Sequence, residues 1–134
     1  MVTRKNLIPL ILFFSLIATG FAQEGPIFSF EKEKHDYGEI PFDSMPDDYK
    51  YDLDIKYINT GDSALVLDKI NVCCGSLLNH YTEEPVMPGD TGTINITLRL
   101  HPRTEKFLRA ITVYSNSSDR PAKVFHIVGE VVRK

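Results

Sequence analysis

The run Tyr49-Lys50-Tyr51-Asp52-Leu53-Asp54-Ile55-Lys56-Tyr57-Ile58 decides the fold class. Along an extended chain Tyr51, Leu53, Ile55 and Tyr57 share one face, while Asp52, Asp54 and Lys56 share the other. Successive side chains of a strand point to opposite faces, so the run reads as a strand buried on one side and wet on the other. Thr93 to Leu100 repeats the pattern, with Ile94, Ile96, Leu98 and Leu100 inward and Thr93, Asn95, Thr97 and Arg99 outward. Phe107, Ile111 and Val113 give a third case.

Working outward, Ile27 to Phe30, His35 to Ile40, Leu65 to Val72 and Lys123 to Val132 are the remaining extended runs, which makes seven strands. Asn59-Thr60-Gly61-Asp62 is read as a hairpin turn into Leu65, Pro88-Gly89-Asp90 as the turn before Thr93, and Ser115 to Pro121 as a polar link into Lys123. Lys123 to Val132 carries Val124, Val128 and Val132 on one face and Phe125, Ile127 and Val131 on the other. Such a strand is expected to be internal to its sheet and covered on both sides. Seven short strands without helical periodicity predict an all-β, immunoglobulin-like sandwich. Its core is expected to include Tyr51, Leu53, Ile55, Ile94, Ile96, Leu98, Ile111, Val113, Phe125 and Ile127. The chain has no tryptophan and its two cysteines are adjacent, so the inter-sheet disulfide of antibody domains is absent and packing alone holds the sandwich.

Residues 1–22 read as a signal peptide: Arg4 and Lys5 start it, Leu7 to Ile17 is apolar, and Gly20-Phe21-Ala22 precedes a cut before Gln23. The apolar run is shorter than the roughly 20 residues of a membrane span, and no cysteine stands at the cut to receive a lipid. The expectation is one domain over residues 23–134, exported to the periplasm or secreted, with no direct membrane insertion. Losing Arg4 and Lys5 leaves 13 basic residues against 18 acidic ones, a formal charge of −5. Phosphate backbones are repelled by that balance, and no basic cluster is apparent in the sequence, so nucleic acid is not an expected partner. Asn95-Ile96-Thr97 and Asn116-Ser117-Ser118 are glycan acceptors only in a eukaryotic secretory pathway and chance matches in a bacterium.

The chemistry-bearing candidates are few. Cys73 and Cys74 belong to an exported chain, where thiols tend to oxidise. Adjacent trans residues hold their Cα atoms about 3.8 Å apart, below the roughly 4.4 to 6.8 Å of an ordinary disulfide, so a bond between them is strained. Ordinary thiols, a vicinal disulfide and an intermolecular or redox role all stay open. His80 could join the two thiols on a soft metal, but adjacency tends to point two cysteine sulfurs apart, and no metal site is assigned. His35, His101 and His126 fall on separate elements. The acidic residues from Asp43 to Asp54 lack the spacing of a calcium loop and read as a solvated face. There is no nucleophile elbow, zinc-protease helix or phosphate loop, so no catalytic residue and no cofactor are expected.

Several short motifs then fall in order: Phe28-Ser29-Phe30, Asp36-Tyr37-Gly38-Glu39-Ile40, Asn59-Thr60-Gly61, Cys74-Gly75, Pro88-Gly89-Asp90-Thr91-Gly92, Phe107 to Asn116, and Ile127-Val128-Gly129-Glu130-Val131. The set resembles a bacterial family of small secreted domains, domain of unknown function fifteen seventy-three, and is similar to Hydin-type and major-sperm-protein-type Ig-like domains. The resemblance implies a fold and a compartment and supplies no catalytic residue. Where the family shows Ser-Cys-Gly-Cys-Thr, this chain has Cys73-Cys74-Gly75-Ser76-Leu77. Cys74 matches the first family cysteine and Ser76 stands in place of the second.

The expected function is therefore a non-enzymatic interaction or structural module of the bacterial cell envelope. Its expected contact loop holds Cys73, Cys74, Gly75, Ser76 and His80, and its partner is another envelope or secreted protein. The alternative is a thiol-based redox or metal-binding protein using Cys73 and Cys74.

Overall fold

The computed structural model describes residues 25–103 and 105–133. The signal peptide read at residues 1–22 lies outside the described residues. Eight strands follow in chain order: β1 (Phe28–Phe30), β2 (Lys34–Pro41), β3 (Lys50–Asn59), β4 (Leu67–Val72), β5 (Ser76–Tyr81), β6 (Thr91–Arg99), β7 (Glu105–Ser115) and β8 (Ala122–Val132). A single 3-10 turn at Phe42–Ser44 joins β2 to the segment before β3. One sheet has the order β1-β3-β6-β5 and the other β2-β8-β7-β4. In immunoglobulin lettering these are the A-B-E-D sheet and the C-F-G sheet, with β2 added in parallel beside β8. The expected all-β sandwich is the observed one.

The alternating runs meet as their patterns require. β3 and β6 pair antiparallel in unbroken register, Leu53 opposite Ile96 and Ile55 opposite Ile94, so their apolar faces coincide. β7 and β8 do the same in the second sheet, with Ile111 opposite Phe125 and Arg109 opposite Ile127. Of the expected core, Ile55, Ile94, Ile96, Leu98, Ile111, Val113, Phe125 and Ile127 are buried. Tyr51 and Leu53 are only partly buried. β1 covers β3 from Tyr57 to Asn59 alone and β2 has crossed to the other sheet, so the first half of β3 lacks a neighbour on that side.

Three expectations are corrected. The stretch read as a loop contains β5, which makes eight strands where seven were expected. β5 pairs with β6 through Leu78 opposite Ile96 and Tyr81 opposite Ile94, with a bulge between Leu78 and His80. That extra residue breaks the period-2 alternation by which strands are read. Asn59 to Asp62 is not a hairpin turn, because β3 and β4 lie in different sheets. Instead the fully buried Asn59 donates to the carbonyls of Ser63 (2.7 Å) and Val86 (2.8 Å) and accepts from the backbone N–H of Gly61 (3.0 Å) and Ile27 (3.3 Å). A Cβ on Gly61 would lie 2.1 Å from the Gly25 carbonyl oxygen, so only glycine lets the chain entering β1 pass this close. Finally, β8 is internal as expected but not covered on both sides: Val124 is 45% exposed, because nothing among the described residues packs on the outer face of its sheet.

Candidate functional site

The residues expected to form the contact loop lie at one end of the sandwich and along one edge. Cys73, Cys74 and Gly75 carry the chain from β4, at the edge of one sheet, to β5, at the edge of the other. The Ser76 N–H donates to the Cys73 carbonyl (3.1 Å) and Gly75 has φ +75°, a type II turn with glycine at the position that requires positive φ. The Gly75 carbonyl accepts from the Arg99 N–H at 2.7 Å, which pins the turn to the end of β6. The Cys73 sulfur accepts from the Ala110 N–H at 3.4 Å and is partly buried, whereas Cys74 is exposed.

The structure separates what the sequence placed together. Cys73 and Cys74 are both free, so the vicinal disulfide is not formed. Ser76 and His80 belong to a strand, and the four residues from one to the other span about 13 Å at the usual rise. His80 is thereby carried away from the two thiols. Among the described residues no group of three His, Cys, Asp or Glu side chains gathers as metal ligands would.

Beside the turn lies a depression of about 370 Å³ on the outer face of the first sheet, lined by Lys50, Gly75, Ser76, Leu77, Thr97 and Arg99. Leu77 points out of the sheet with 64% of its surface exposed. Lys50 and Arg99 stand directly opposite each other on β3 and β6. Further along the same face, Thr97 donates to Asp52 (2.7 Å) and Asn95 donates to Asp54 (2.6 Å). The Asn79 amide donates to both Asn95 (2.8 Å) and Thr97 (2.7 Å). Asp52 and Asp54, exposed on the wet face as expected, are also tied into a polar ladder across three strands.

The four strand edges differ in protection. β2 carries Lys34, Asp36, Glu39 and Pro41, and β4 carries Asp68 and Lys69, the charges and proline that discourage pairing with another chain. β1 is three residues long and its outer side is closed by side chains from the β7–β8 link and the start of β8. The Phe28 N–H donates to Ser117 Oγ (3.0 Å), and Lys123 Nζ donates to the Phe28 carbonyl. Asp119 holds both closing groups, accepting from Ser117 Oγ and, at 2.7 Å, from Lys123 Nζ. Partial burial pushes the Asp119 carboxyl up, but hydrogen bonds from Lys123, Ser117 and the Arg120 N–H outweigh it and hold the group far below the usual carboxylate range. β5, Ser-Leu-Leu-Asn-His-Tyr, has neither an acidic residue nor a lysine or arginine, and among the described residues nothing pairs with its outer side.

Leu77, Lys50 and Arg99 were not read as site residues. Lys50 and Arg99 do end the polar faces of the two alternating runs, but only the β3–β6 register puts them side by side.

Against known families, residues 28–131 match one described as a protein of unknown function, DUF1573. The chain belongs to that family. The family's function is unknown, which leaves the site to be read from its geometry. No curated protein matches the chain. Among solved structures, a protein of unknown function from Porphyromonas gingivalis W83 superposes with a TM-score of 0.62 at 13% identity, over 81% of this chain and 48% of that one. The secreted serine protease VesC from Vibrio cholerae gives a TM-score of 0.62 at 13% identity, over 81% of this chain and 23% of that one. The ASH / PapD-like domain of human CEP192 gives 0.49 at 8% identity, over 80% and 86%. This chain thus spans about half of the Porphyromonas protein and a quarter of the protease, and at these identities the likeness is one of fold.

Proposed function

We propose that this domain is a non-enzymatic interaction module of the bacterial cell envelope, working outside the cytoplasm, that takes an extended segment of another envelope or secreted protein onto the edge of β5. The observation that carries this reading is that β5 is a six-residue edge strand without the protecting charge or proline of β2 and β4, and that it presents Leu77 at 64% exposure. An added strand gains main-chain hydrogen bonds from the edge and side-chain contacts on alternate positions. Export, read from residues 1–22, puts the edge in the same compartment as such partners.

The test is Leu77→Asp in the full chain, cross-linked in the cell envelope and recovered. The variant is expected to keep its melting temperature, since exposed positions usually shift stability by no more than about 0.5 kcal/mol. It is expected to lose the cross-linked partner that the parent recovers. Equal recovery by both proteins overturns the reading.

A second reading rests on the two free thiols, with Cys74 exposed at the tip of the turn. Under it, protein exported in an oxidising compartment would show Cys74 in a mixed disulfide. Titration of two unmodified thiols in the exported protein removes it.

A further inference from the structure

Resting on the β5 reading above, we infer that the segment bound there carries an aliphatic residue and, two positions away, an acidic one. The aliphatic side chain lies on Leu77 and the carboxylate meets Arg99, with Lys50 one strand beyond it.

The charge arrangement points to this occupant. Lys50 and Arg99 are cross-strand partners, and like charges directly opposite each other in a sheet are unfavourable. Among the described residues the one ion pair of Lys50 is with Asp48 at 3.8 Å, both side chains being about half exposed or more, and Arg99 forms none. Asp52 and Asp54 lie further along the same face, accepting from Thr97 and Asn95, and neither forms an ion pair with Lys50 or Arg99 among the described residues. Behind the turn, the Arg109 Nε is buried without a hydrogen-bond partner and lies 3.9 Å from where a Gly75 Cβ would stand. A chain with an overall excess of acidic residues thus gathers three cations around one glycine.

Register supplies the spacing. Leu77 is opposite Thr97, and the Gly75 carbonyl accepts from the Arg99 N–H, so two residues along β5 correspond to two along β6. On a strand added outside β5, the residue beside Leu77 and the residue beside Gly75 are two apart and point to the same outer face. Gly75, the turn residue just before β5, has no side chain to stand between that second residue and Arg99. To Arg99 the two side chains must bridge two strand spacings, about 10 Å, which a glutamate and an arginine reaching toward each other cover; Lys50 stands a third spacing away and adds its field rather than a direct contact. Guanidinium and ammonium groups form charge-assisted hydrogen bonds with a carboxylate that neutral donors do not match.

The probe is a library of random eight-residue peptides displayed on phage and selected against the full exported protein, with the enriched peptides then synthesised. The expected result is enrichment of an aliphatic residue two positions from Glu or Asp. Binding of those peptides is expected to weaken about tenfold in Arg99→Gln, to weaken by less in Lys50→Gln, and to fall as salt rises. Peptides that lose binding to Leu77→Asp but lack an acidic residue, or that bind Arg99→Gln and Lys50→Gln as well as the parent, overturn this inference and leave the β5 edge standing. No enrichment, or enriched peptides indifferent to Leu77→Asp, overturns both.

Discussion

At one side of the first sheet the N–H and carbonyl of Phe28 in β1 are held by Ser117 and Lys123, which Asp119 joins; at the other side β5 shows its outer edge to solvent. Both are edge strands of one sheet, and both carry large apolar side chains. β1 is built into the molecule from three directions: Asn59 grips the chain on entry, Phe28 stacks on Tyr57 with ring centroids 4.6 Å apart, and Phe30 meets Phe125 at 5.2 Å. β5 is held by its ladder to β6 and by Leu78 and Tyr81 packed on the core, but nothing among the described residues closes its outer edge. Unpaired main-chain groups at an edge must be satisfied by side chains, water or another chain. The protein uses side chains at β1, which leaves β5 for a partner.

The contrast is sharpest where a change at the β1 side should cost most. Asn59→Ala removes four hydrogen bonds at once, two to the carbonyls of Ser63 and Val86 and two from backbone N–H groups, and the expected loss is about 3 kcal/mol, read as a lower urea midpoint with an unchanged slope. A loss below roughly 1 kcal/mol would mean that water replaces the amide and that β1 is not anchored there. Ser117→Ala removes the acceptor of the Phe28 N–H and is expected to cost about 1 to 2 kcal/mol.

The same closure should respond to acid. Because the folded Asp119 carboxyl lies well below its ordinary value of 3.8, its contribution is complete above that value and is lost as pH falls toward the depressed one. Stability of the parent should therefore drop on acidification below pH 3.8 more steeply than that of Asp119→Asn, measured by urea midpoints across the range. Parallel curves would remove Asp119 as the organiser of the closure.

At the β5 side the expected effects are small. Cys73→Ser with Cys74→Ser keeps an acceptor for the Ala110 N–H and breaks no disulfide, so the change is expected to be about 1 kcal/mol, against 2 to 5 for a lost native disulfide. Unfolding of the double variant would show the turn to be as structural as the β1 entry and would erase the contrast.

The difference between the regions also governs how each could be read. β3, β6 and the apolar positions of β7 and β8 are legible because strand periodicity is local and one face of each is buried. β5 is hidden by one bulged residue, and with it went the placement of Ser76 and His80. The Asn59-Thr60-Gly61 motif looks like a turn, yet its meaning depends on Ile27 and Val86, both distant in sequence.

What the sequence determined by itself is the class: alternation of apolar and polar residues fixes which face of each strand is buried, and hydrophobic burial then leaves little choice but two stacked sheets. Which strand stands at an edge, which edge is closed, and that Lys50 meets Arg99 beside an exposed Leu77 were decided only by the tertiary structure. Those properties follow from register and sheet order, which arise from contacts between residues far apart in the chain and leave no mark in any short window of it.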